Sequence, residues 1–197
     1  MSQPFRTISK TTEGLFKNRG SKFIAHAFPI TNVDDVKPLL EKLKEEHPSS
    51  RHVCYAYQIG PNGTEYRAND DGEPNGSAGL PILNQIKSKD VTNTLVAVVR
   101  YFGGTKLGVS GLINAYKEAA REALDKAKVI EKIPTAIIKL QFPHSSIGSV
   151  ERITGQNGLK IQSQEFGIDC VWKIEAAESD MEQTTELFLS IPDLQII

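Results

Sequence analysis

Apolar positions recur along the chain with two periods, and their alternation marks out strands and helices in turn. SKFIAHAFPI (21–30) alternates as a strand, and Val36, Leu40, Leu43 and His47 then recur at helical spacing over about 33–47. Pro38 lacks the N–H that a helix interior must donate, so it delays the start of that helix or kinks it. HVCYAYQIG (52–60) reads as a strand, and Pro61-Asn62-Gly63 turns the chain into a short partner strand from Glu65 to Ala68. Beyond a polar, glycine-rich loop, a short helix is expected to begin between Ser77 and Pro81, capped by serine, with Leu83 and Ile86 inward. TLVAVVRYF (94–102) is almost continuously β-branched and aromatic, hence a central strand. A helix over about 109–128 places Val109, Leu112, Ile113, Tyr116, Ala120, Ala123 and Leu124 on one face, with Asn114, Lys117 and Arg121 on the other.

The pattern changes near Ile133-Pro134, after the charged stretch DKAKVIEK, and the expected domains are 1–132 and 133–197. In the second, TAIIKLQF (135–142) alternates as a strand, and Ile147, Val150 and Ile153 mark a helix. Two strands meet around Phe166-Gly167, then Met181, Leu187, Phe188 and Ile191 mark another helix before a terminal strand, LQII. The order β-α-β-β-α-β is the ferredoxin-like plan.

Composition narrows the function classes. With 197 residues, 39% hydrophobic and 24% charged, the chain falls among globular proteins and outside the disordered, collagenous and membrane classes. The N-terminus MSQPFRTISK lacks the apolar stretch of a secretory signal, and no run approaches the roughly 18–20 apolar residues of a spanning helix. The expected location is the cytoplasm, without membrane contact. Cys54 and Cys170 lie far apart, which indicates neither a disulfide framework nor a zinc site. Net charge is only −1, but residues 1–132 hold 19 Lys and Arg against 15 Asp and Glu (net +4), while 133–197 hold 4 against 9 (net −5). The two parts therefore suit different partners.

Two stretches stand out chemically. In RYFGGTKLG (100–108) a strand runs through Gly103, Gly104, Lys106 and Gly108 into a helix. The first N–H groups of that helix face the loop and favour an anion, Arg100 and Lys106 add charge, and Tyr101 or Phe102 offers a stacking face. Neither the phosphate-loop pattern nor G-x-G-x-x-G is met. The plainer alternative is a tight turn with solvated cations. In DDGEPNGSAG (70–79), Asp70, Asp71 and Glu73 lack the ligand spacing of a calcium loop. They are expected to bond turn amides, with Glu73 pairing a nearby arginine such as Arg67 and the loop, Ser77 included, shaping the rim of a site.

Nucleophile motifs fail. NGSAG and GVSGL each miss one glycine of the G-x-S-x-G elbow. His52 and Cys54 share a strand face about 7 Å apart, beyond hydrogen-bond reach, so Cys54 is expected to be structural. No cofactor or metal is indicated. Lys117 and Arg121 fit either phosphate contacts or ordinary helix ion pairs.

DDGEPNGSAGLPIL followed by VVRYFGGTKLGVSGLINAY closely resembles the IMPACT family in its bacterial form, from about residue 15 to the end. The resemblance implies an α+β fold: a first domain similar to the second domain of small-subunit ribosomal protein five, then a ferredoxin-like domain. The pair is similar to the last two domains of elongation factor G, which implies a role in translation, and the resemblance supplies no catalytic residue.

The leading expectation is a non-enzymatic regulator that binds RNA or the ribosome through its basic first domain. Arg100, Lys106, Lys117 and Arg121 would meet phosphates, and Gly103, Gly104 and Gly108 would allow close approach. The acidic second domain would orient the first or meet a protein partner. A protein-interaction module without RNA contact, and a small-molecule enzyme using the cleft between 70–79 and 100–108, are the alternatives.

Overall fold

The structure is a computed structural model that describes residues 3–197. It divides into two units, Phe5–Lys132 and Ile133–Ile197.

The first unit runs β1 (Phe5–Ile8), β2 (Thr12–Asn18), β3 (Ser21–Pro29), α1 (Val36–Glu46), β4 (His52–Ile59), β5 (Glu65–Asn69), α2 (Gly79–Ser88), β6 (Thr94–Tyr101), α3 (Gly108–Asp125) and β7 (Val129–Lys132). Five strands form an antiparallel sheet in the order β2-β3-β6-β4-β5. β6 lies in the middle and is buried from Thr94 to Arg100, because both faces of the sheet are covered. Phe23, Ala25, Cys54, Ala56, Val96 and Val98 face α2 and α3, which contribute Ile82, Ile86, Tyr116, Ala119 and Ala123. The opposite face packs Val53, Tyr57, Leu95, Ala97 and Val99 against Val36 and Leu43 of α1.

Local chemistry explains the boundaries. A single turn over Val33–Asp35, closed by a reciprocal capping box between Asn32 and Asp35, precedes α1. Pro38 then falls in the first turn of α1, where no N–H is required of it. Three strands lie outside the expected pattern: β1, β2, and β7, which falls in the charged stretch DKAKVIEK just past the expected end of the helix. β1 pairs with β7 antiparallel, so α3 stops at Asp125 and the chain leaves in extended form. The inner face of α3 also differs from expectation. Val109 (53% exposed) and Ile113 face outward, while Ala115 and Ala119 are buried. Helices close on a sheet favour small residues at the line of contact.

The second unit runs β8 (Thr135–Phe142), α4 (Ile147–Gln156), β9 (Lys160–Phe166), β10 (Cys170–Ala177), α5 (Met181–Leu189) and β11 (Gln195–Ile196). Its antiparallel sheet has the order β11-β8-β10-β9, the ferredoxin-like arrangement. Leu140, Phe142, Trp172 and Ile174 pack on Val150, Ile153 and Phe188. No helix among the described residues is long and apolar enough to cross a membrane.

Candidate functional site

Alternation along β6 puts Arg100 on the same face as Val96 and Val98, beneath the helices. Its side chain is only 9% exposed, so its charge needs a partner. Glu73, 4% exposed, supplies it: Glu73 Oε1 accepts from Arg100 Nη1 at 2.5 Å and from the Tyr116 hydroxyl at 2.7 Å. Arg67, the partner expected for Glu73, lies instead on the exposed edge strand β5. The Arg100 guanidinium sits 5.6 Å from the Phe23 ring and 5.7 Å from the Phe102 ring, and its Nε has no hydrogen-bond partner. Burial pushes the Tyr116 hydroxyl well above its ordinary range, so it remains a donor to Glu73.

The acidic loop is held by its own backbone. The Asp70 carboxylate accepts the N–H groups of Gly76, Ala78 and Gly79, each at 2.9 Å, and so caps α2. Ser77, the expected cap, instead donates its hydroxyl to the Pro74 carbonyl. Burial by itself would raise the Asp70 carboxyl, but the donations from Gly76, Gly79 and Ala78 together hold it below the usual range. The Asp71 carboxylate accepts the Val53 N–H, and its carbonyl accepts from His52 Nδ1, both at 2.7 Å. Asp70, Asp71 and Ser77 therefore hold the loop in shape, and that loop delivers Glu73 beneath the cleft.

Cys54 is fully buried, and its thiol has the Asp70 carbonyl (3.0 Å) and the Tyr116 oxygen (3.3 Å) as acceptors. Burial pushes that thiol far up, so no thiolate nucleophile forms there. His52, committed to Asp71, is not its base.

Above this floor opens a cleft of about 440 Å3, walled by Arg51, Phe102, Lys106, Gly108, Val109 and Leu112 among others. No side chain caps the N-terminus of α3, so its first N–H groups are available at the cleft. Gly108 (φ +72°) takes the left-handed backbone needed to enter the helix from this loop. Gly103 has a different reason: a Cβ there would meet the Gly20 carbon at 1.9 Å, so its missing side chain serves the approach of the β2–β3 turn. Gly104 is exposed in the loop with φ +86°.

Of the cations expected at the site, Arg100 and Lys106 line the cleft. Lys117 and Arg121 are exposed further along α3 and do not line it, and Arg121 pairs with Glu118 on its own helix. Tyr101 faces the opposite side of the sheet and bonds His47 at 2.8 Å, which leaves Phe102, 48% exposed, as the aromatic wall. Arg51, absent from the expected set, enters through the fold alone, since it sits in an irregular stretch with no motif around it. Neither Arg51 nor Lys106 forms an ion pair among the described residues.

Residues 19–124, which include every side chain of this cleft, match the Impact N-terminal domain. The chain belongs to the IMPACT family. The IMPACT family member YvyE of Bacillus subtilis is 34% identical over 151 residues, covering 77% of this chain and 70% of that protein. The IMPACT family member YigZ of Escherichia coli is 34% identical over 148 residues, 74% of this chain and 72% of its own. A crystal structure described as that of a hypothetical protein has a TM-score of 0.78 at 26% identity, covering 100% of this chain and 98% of the other. The mixed α+β architecture implied by the IMPACT resemblance is thus the one the chain adopts.

Proposed function

We propose that this IMPACT family protein is a translation-associated regulator that binds RNA, free or within the ribosome, through the cleft of its first unit. One observation carries the reading: two unpaired cations, Arg51 and Lys106, flank an uncapped helix N-terminus and an exposed aromatic ring in a single concavity. Phosphate is the chemistry that cations and unpaired N–H groups recognise together, and an aromatic face beside them suits a base. Glu73 does not oppose this, because Arg100 neutralises it within the floor.

The floor groups are committed to one another, so the site offers binding and not a nucleophile with its base. The IMPACT resemblance implies a likeness to the last two domains of elongation factor G, and that implication supports a place in translation. The second unit, with net charge −5, would repel phosphate, and we assign it to orientation or to a protein partner. Sedimentation of the full chain with ribosomal particles from lysate tests the reading. Association at low salt that is lost at high salt is expected. Absence from the particles at low salt, together with no binding to a mixed RNA pool, would defeat it.

A further inference from the structure

Arg51 lines two concavities. Besides the 440 Å3 cleft, it borders a second hollow of about 320 Å3, lined by Lys44, His47, Pro48, Ser50, Val53 and Asp71. The two differ in character. The first has an apolar wall of Phe102, Leu107, Val109 and Leu112, whereas the second is polar, and Lys44 forms no ion pair among the described residues. Asp71 is the carboxylate in that hollow, where it already accepts the Val53 N–H, and Lys44 and Arg51 line the hollow with it.

From this juxtaposition we infer that the bound RNA is unpaired, with one base seated in the apolar cleft against Phe102, the following phosphate on Arg51, and the next on Lys44. The inference rests on the RNA-binding reading above and narrows it. A cleft of this volume falls within the roughly 300–1,000 Å3 of pockets that enclose a small ligand, so it takes a group of nucleotide size. A base in a duplex is stacked and paired and cannot enter a concavity, while an unpaired base turns out and stacks on an aromatic ring.

The second unit does not provide the same chemistry on its open sheet face. Opposite its core, that face pairs Ile137 with Glu175, Lys139 with Lys173, and Gln141 with Val171, and it offers no aromatic ring among these. The exposed ring of this unit, Phe166, is engaged with His144 and Trp172, and the unit's net charge of −5 disfavours a phosphate backbone beside it.

Fluorescence anisotropy with the full chain tests this, using a labelled single-stranded RNA of roughly ten nucleotides, the same sequence annealed to its complement, and heparin as a polyanion without bases. The single strand is expected to bind at least about tenfold more tightly than the duplex. Phe102→Ala should weaken single-strand binding by about 5- to 150-fold, the range for losing one stacked base, and leave heparin binding unchanged. Phe102→Tyr should restore it, and Lys44→Ala should weaken single-strand binding with a shallower salt dependence. Equal affinity for strand and duplex, with Phe102→Ala silent, would overturn the unpaired-base inference and leave RNA binding standing. Failure of both RNAs to bind would defeat the inference and the underlying reading together.

Discussion

Removing the Glu73 carboxylate strands the buried cation beneath the cleft. In Glu73→Ala, Arg100 keeps its place on a largely buried strand face but loses its 2.5 Å partner, and the Tyr116 hydroxyl loses its 2.7 Å acceptor. The guanidinium already has an unpartnered Nε, and the Phe23 and Phe102 rings beside it accept no strong hydrogen bond. Breaking one side of a buried pair costs about 3–5 kcal/mol, since the surviving charge stays desolvated. For a chain of this size, each kcal/mol lowers the melting temperature by about 2–4 °C, so a fall of roughly 6–20 °C is expected by calorimetry. The double variant Glu73→Leu with Arg100→Met removes both charges and should recover most of that loss. A Glu73→Ala protein that melts within about 2 °C of wild type, or a double variant less stable than Glu73→Ala, would refute the stranded-charge explanation.

Asp70→Ala should cost at least about 1–2 kcal/mol in denaturant unfolding, because the Ala78 and Gly79 N–H groups at the start of α2 and the Gly76 N–H in the loop before it lose their acceptor. Its folded carboxyl lies below the ordinary 3.8, so its stabilisation is full above that value and is lost as pH falls through the folded value; Asp70→Asn should flatten this acid limb. Burial holds the His26 imidazole below its ordinary 6.5, against the pull of Glu13 and Glu46 and in concert with His47 and Lys42. The unfolded chain thus binds the proton more readily, and stability should decline as pH drops from about 7.5 to 5.5 in wild type and less so in His26→Gln. Residues 1–132 and 133–197, expressed separately, should each melt cooperatively, because each has its own buried cluster; broad, non-cooperative transitions would contradict this.

What could be read from the sequence followed the strength of each periodic signal. β6 was legible because an unbroken β-branched run has no other stable place than mid-sheet, and the ferredoxin-like order followed from clear alternation in TAIIKLQF. β1, β2 and β7 were not, since they are short and rich in polar residues, and β7 is extended only because β1 pairs with it. At the site, Lys106 and Gly108 sit in a recognisable strand-to-helix turn and do line the cleft. The Arg100–Glu73 pair carried a partial signal: strand parity buries Arg100 with Val96 and Val98, which demands a carboxylate, but only the fold selects Glu73 over Asp70 and Asp71. Arg51 had no signal, because its stretch is irregular and its neighbours in space come from β6 and α3. Val109 and Ile113 misled because helical spacing gives a face but not its width, and alanines let α3 lie close to the sheet.

The central claim, that phosphate is held where Lys106 meets the start of α3, is tested most directly by the salt dependence of RNA affinity in wild type and Lys106→Ala. Lys106 is exposed and has no ion pair among the described residues, so its removal leaves the fold intact. Plotted as log affinity against log salt, the wild-type line should fall steeply, and that of Lys106→Ala should be weaker and shallower by about 0.7–0.9, the loss of one phosphate contact. Superimposable lines at every salt concentration would contradict the account.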